Sequence, residues 1–101
     1  MIVRLVCMKV QPEKLAEFKR IYVSACDRIR SFNGCLFLQL LGDTEGESTV
    51  YTISHWRSQE DLEAYRHSEF FRDIWKRLKP LFRDKAWAHS TMVLIDSSQL
   101  K

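Results

Sequence analysis

Apolar residues fill the chain from Ile2 to Val10 almost without a break, with Arg4 and Lys9 as the charges, and such a run of Val, Ile, Leu and Met predicts a strand. The period then changes. Leu15, Phe18, Tyr22, Ala25, Ile29 and Phe32 recur at steps of three and four, which predicts a helix with one buried side, and Pro12 and Glu13 suit its first turn. Asn33-Gly34 supplies a left-handed ending, after which Cys35–Leu41 reads as a second apolar strand. Gly42–Ser48, with Asp43, Thr44 and Gly46, is a turn leading into Thr49–Trp56, so the second and third strands form a hairpin. Ser58 with Asp61 resembles a capping box and opens a short helix carrying Leu62 and Tyr65. Ser68 and Glu69 open another, with Phe71, Ile74, Trp75 and Leu78 on one face, until Pro80 disrupts it. Ala86–Ile95 predicts a last strand and Asp96–Lys101 a polar tail. The order is βαββαβ: an α+β, ferredoxin-like fold with a four-stranded antiparallel sheet.

That order puts both helical units on one face of the sheet, because each crossover prefers the same hand. The other face needs cover. The first strand offers Val3, Leu5 and Cys7 on one side and Val6, Met8 and Val10 on the other. The second strand sets Leu36, Leu38 and Leu40 against Cys35, Phe37 and Leu41. A lone chain would expose an apolar patch of roughly several hundred Å². A homodimer, sheet on sheet about a two-fold axis, is the simplest closed solution.

Composition narrows the class. A length of 101 residues, 46% of them hydrophobic and 29% charged, suits one domain over residues 1–101. Arg4, Lys9, Gln39 and His89 interrupt the apolar stretches, so no membrane span is expected. Met1–Val10 reads as a strand rather than a secretory leader, which predicts a cytoplasmic location. The net charge of +3 is mild and its bases are interleaved with acids, so nucleic acid is not an expected partner. Three cysteines, Cys7, Cys26 and Cys35, lack C-x-x-C spacing and read as free thiols.

Pro12-Glu13 after the first strand, the Phe32-Asn33-Gly34-Cys35 junction and Ser54-His55-Trp56-Arg57-Ser58 before an acidic helix carry a family likeness. The stretch from Trp56 to Leu62, and on through Ser68-Glu69-Phe70-Phe71, strengthens it. Over nearly its whole length the chain resembles the antibiotic biosynthesis monooxygenase-like proteins of the dimeric α/β barrel superfamily. The resemblance implies a homodimer whose two sheets build a barrel, with a pocket in each subunit between helices and sheet. It also implies oxidation of a small aromatic, phenolic or quinol substrate by dioxygen, without a cofactor. Trp56 stands where the polyketide-oxidising branch has a pocket tryptophan, but Thr52 and Leu62 replace that branch's asparagine and tyrosine. Where the haem-degrading branch has an asparagine, a tryptophan and an iron-binding histidine, Val6, Tyr65 and Trp75 stand, which disfavours haem breakdown. The quinol-oxidising branch often has histidines at the positions of Tyr65 and Phe70.

Cofactor-free oxygenation needs a dry pocket, a base for a phenol or quinol, and polar groups to hold the resulting anion. Histidine is the natural base, and His55, His67 and His89 are the candidates. His55 adjoins Trp56, although strand alternation turns the two side chains to opposite faces, leaving a role for His55 at a dimer interface equally open. The candidate catalytic residues are thus His55 and Trp56. Tyr65, Phe71, Trp75 and Trp87 are the candidates for binding a flat, apolar ligand, a set equally at home in a core. Arg72 and Arg77 suit a solvated helix face. No phosphate-binding loop, H-x-x-H spacing or G-x-S-x-G elbow occurs, so neither a metal nor another cofactor is expected. The alternative to an oxygenase is a non-catalytic dimer that binds a small hydrophobic molecule; haem handling ranks third.

Overall fold

The structure is a computed structural model and describes residues 1–46 and 48–99. Of the elements expected above, Glu47 in the turn and Leu100 and Lys101 in the tail lie outside the described residues. The strands are β1 (Ile2–Lys9), β2 (Cys35–Gly42), β3 (Thr49–Trp56) and β4 (Trp87–Met92), and the helices are α1 (Leu15–Arg30), α2 (Gln59–Arg66) and α3 (Glu69–Leu78). The strands form one four-stranded antiparallel sheet in the order β2-β3-β1-β4. This is the α+β, ferredoxin-like architecture. β1 is central, with Leu5 opposite Ile53 on one side and His89 on the other.

Local chemistry sets the element ends. Pro12 lies in a short 3-10 turn, Pro12–Lys14, so the α-helix itself starts at Leu15. α1 buries Phe18, Tyr22, Ala25 and Ile29 and stops before Phe32. Gly34 adopts φ 86°, and a Cβ there would run into the Asp61 side chain, so glycine is required both for conformation and for close approach. The Ser58 hydroxyl accepts the Asp61 amide at 3.1 Å, and the Ser68 hydroxyl accepts the Phe71 amide at 3.1 Å. The capping box is only half formed, because the Asp61 carboxylate accepts from Arg57 Nε at 3.2 Å instead of returning to Ser58.

Two expectations are corrected. A bulge between Cys35 and Phe37 inserts one residue into β2, which turns Cys35 to the helix side and leaves Phe37 on the other; simple alternation puts both on one face. The last strand ends at Met92, not Ile95. Met92 already pairs with Ile2, the first residue of β1, so residues 93–95 have no neighbouring strand to bond, and Leu94 is 87% exposed.

The main core lies between α1, α3 and the sheet and includes Met8, Phe18, Ile29, Val50, Ile74 and Leu78. A smaller cluster, Cys35, Trp56 and Leu62, sits under α2. The opposite face carries Val3, Leu5, Ile53, His55, Phe37 and Trp87 with no helix over it. Among the described residues no helix is long and apolar enough to cross a membrane. All three cysteines are free, Cys7 and Cys35 buried.

Candidate active site

Tyr65 packs against both hydrophobic clusters, and where they meet the side chains leave a cavity of about 60 Å³. Its floor is the helix side of the sheet: Arg4, Val6 and Met8 of β1, Thr52, Ser54 and Trp56 of β3, Leu38 of β2 and Ala88 of β4. Its roof is Tyr22 and Ile29 of α1, Leu62, Tyr65 and Arg66 of α2, and Phe71, Ile74, Trp75 and Leu78 of α3.

The break between α2 and α3 lets aromatic side chains from both helices converge. Trp56 stacks on Tyr65 with ring centroids 5.0 Å apart and planes 22° apart. Phe71 meets Tyr65 edge-on at 5.1 Å, and Trp75 lies 5.9 Å from Phe71. The indole N–H of Trp56, which is wholly buried, donates to the Ser54 hydroxyl at 3.0 Å. A ring in the cavity would therefore meet π faces and edges, the contacts aromatic pairs prefer.

The polar lining consists of hydroxyl and guanidinium groups. Burial raises Tyr22 and Tyr65 well above the ordinary tyrosine pKa, with a small opposing pull on Tyr65 from the charge of Arg4, so both hydroxyls stay protonated near neutral pH. Arg4 Nη1 donates to Ser90 Oγ at 2.8 Å, and its pKa is lowered first by burial and then by the like charge of Arg66. Arg66 Nη1 donates to Glu63 Oε1 at 2.9 Å, while its buried Nε finds no hydrogen-bond partner. Among the described residues no histidine, aspartate or glutamate lines the cavity.

The matching family profile, antibiotic biosynthesis monooxygenase, covers residues 1–77. The chain belongs to the antibiotic biosynthesis monooxygenase family. The matched stretch of this family member takes in β1, β2, β3 and most of the helical roof and stops short of β4. Among solved structures, a candidate antibiotic biosynthesis monooxygenase of Caulobacter crescentus CB15 is similar at a TM-score of 0.87 and 20% identity, over 93% of this chain and 90% of that one. A candidate antibiotic biosynthesis monooxygenase of Nitrosomonas europaea gives 0.86 and 13%, over 94% and 100%. A conserved protein of Methanosarcina mazei Go1 gives 0.84 and 20%, over 90% and 91%. At these identities the likeness is one of fold. No curated protein matches the chain in sequence.

Of the sequence candidates, Trp56, Tyr65, Phe71 and Trp75 come together around the cavity. Two do not join them. His55 points to the other side of the sheet, its ring 4.8 Å from Phe37, and Trp87 lies there too, 5.1 Å from His89. The reason is alternation: each is one residue out of phase with a cavity-facing neighbour, Trp56 or Ala88. His67 is exposed on the helical side, its Nδ1 2.8 Å from the Glu63 carbonyl oxygen. Arg4 and Arg66 are lining groups that periodicity does not single out, whereas it puts Tyr22 on the buried side of the first helix without marking it as a site residue. For Arg4 a signal exists, since a charge shares an alternate face with Val6 and Met8 in mid-strand.

Proposed function

We propose that this protein binds a small phenolic or quinol molecule between Trp56, Tyr65, Phe71 and Trp75 and oxidises it with dioxygen, drawing the electrons from the substrate itself. The observation that carries the reading is the convergence of four aromatic rings on one cavity that Tyr22 also lines, in a member of a monooxygenase family. For a quinol the balance is one ring C–H replaced by C–OH, two ring hydroxyls oxidised to carbonyls, and the second oxygen atom leaving as water. Dioxygen's electrons then all come from the ring, and no metal or other cofactor enters. Tyr22 and Tyr65 would donate to the oxygen on which negative charge develops.

The cavity as it stands is smaller than the roughly 150 Å³ known to admit benzene. Trp75, Val6 and Ala88 also line a groove of about 470 Å³ beside Phe82 and Ala86, so the two spaces share these three side chains. Binding of a ring requires these side chains to give way. The bare sheet face, with Val3, Leu5 and Ile53, supports a homodimer closed sheet to sheet.

Lack of a carboxylate or imidazole in the cavity favours the second reading, a dimer that binds the same small aromatic molecule without turning it over. Incubation with a panel of hydroquinones and polycyclic phenols under ¹⁸O₂ separates the two. The oxygenase reading expects one labelled atom in the product and one in water. Bound ligand recovered unchanged across the panel would favour the binding module.

A further inference from the structure

Arg4 is the anomaly of the sheet. It sits on the central strand, on the face that the helices cover, between Ser54 of β3 and Ser90 of β4. Arg4 is half-buried there, and a guanidinium that gives up part of its water ordinarily regains a carboxylate. Among the described residues Arg4 forms no ion pair; its one side-chain hydrogen bond is to the neutral Ser90 hydroxyl, at 2.8 Å. The charges that act on it come from α2: Arg66, whose repulsion is the stronger, and Glu63. Arg66 in turn gives one nitrogen to Glu63 at 2.9 Å and leaves its buried Nε unpartnered. Two cations thus border one cavity with a single carboxylate between them, and a donor is left unused.

We infer that the ligand of this cavity binds as an anion, with its phenolate, enolate or carboxylate oxygen held by Arg4 and Arg66 and its ring against Trp56 and Tyr65. The inference rests on the aromatic-pocket reading above and gives the substrate its charge state. It also supplies what the cavity lacks. With no histidine, aspartate or glutamate in the lining, the protein has no obvious base of its own, and a substrate selected in its ionised form needs none. The substrate class that fits is an acidic phenol, a quinol monoanion or a stabilised enol. Charge-assisted hydrogen bonds from guanidinium groups are the strong kind, which makes the charge state a source of selectivity.

The test uses 4-nitrophenol, which ionises near neutral pH and whose phenolate is yellow, beside the neutral 4-nitroanisole. Binding to the full-length protein is followed by quenching of tryptophan fluorescence. The expected result is tighter binding of 4-nitrophenol than of 4-nitroanisole. Phenolate absorbance should rise when protein is added below the probe's own pKa, and the preference should weaken in salt. Arg4→Gln and Arg66→Gln should each weaken phenolate binding about tenfold to a hundredfold and weaken 4-nitroanisole binding much less. Arg4→Lys, which keeps the charge, should retain part of it, and far-UV circular dichroism checks that each variant is folded. Equal affinity for the two probes, or folded Gln variants that bind phenolate normally, would overturn the inference while leaving the aromatic pocket standing. Binding of neither probe would overturn both.

Discussion

Trp56 holds the centre of the site by three separate means: complete burial, a stack on Tyr65 and an indole hydrogen bond to Ser54. Trp56→Ala should cost about 3 to 5 kcal/mol in urea unfolding, whereas Trp56→Phe keeps most of the packing and should cost less. The tyrosines make a second residue-scale prediction. Burial raises Tyr22 and Tyr65, and the hydrogen bond to Asp43 raises Tyr51, each above the ordinary 10.0. A folded-state pKa above the unfolded one means that stability is full below about pH 10 and is lost as pH rises from there through the folded values. Ultraviolet titration of the folded protein should accordingly show Tyr22 and Tyr65 ionising only well above pH 10, and each of the two buried hydroxyls should steepen the alkaline loss of stability by up to about 1.4 kcal/mol per pH unit. A Tyr22 or Tyr65 step at pH 10, assigned by difference from the Tyr22→Phe and Tyr65→Phe variants, would contradict the packing around the cavity.

Elements owe their positions to a few backbone decisions. Ser58 and Ser68 each cap a helix of the second helical unit, and either serine changed to alanine should cost about 1 kcal/mol. Gly34→Ala should cost more than that, because it meets both an unfavourable φ and the Asp61 side chain. Helix periodicity, the Asn33-Gly34 stop and the two serine caps are local signals, so they are legible in the sequence, as is the gathering of Tyr65, Phe71 and Trp75 on neighbouring helix faces. What the sequence conceals is set by partners distant in the chain. The bulge beside Leu36 follows from pairing with β3, and the end of β4 at Met92 follows from where β1 begins. The same logic governs the site. Alternation already separates His55 from Trp56, but which of the two faces the helices is decided by the packing of α2 over β3. Arg4 becomes a site residue only once α2 brings Arg66 across the sheet to it.

At the scale of the molecule, one face of the sheet is covered by helices and the other is bare. Val3, Leu5, Ile53 and Trp87 line that bare face, and the apolar residues Val93, Leu94 and Ile95 stand exposed beyond it. A sheet-to-sheet homodimer predicts that Ile53→Lys shifts the sedimentation coefficient from dimer to monomer, while the unaltered protein stays dimeric at micromolar concentration; a wild-type monomer would refute it. His55 belongs to this face and Tyr65 to the cavity, which allows the central claim to be tested by position. Dioxygen uptake should be measured with the best quinol of a panel for the wild type, His55→Ala and Tyr65→Phe, each shown by sedimentation to keep the wild-type assembly. A cavity chemistry predicts that His55→Ala consumes dioxygen close to the wild-type rate and that Tyr65→Phe is slowed about tenfold or more. Loss of uptake in His55→Ala with Tyr65→Phe unaffected would place the reaction on the opposite face of the sheet and contradict the account.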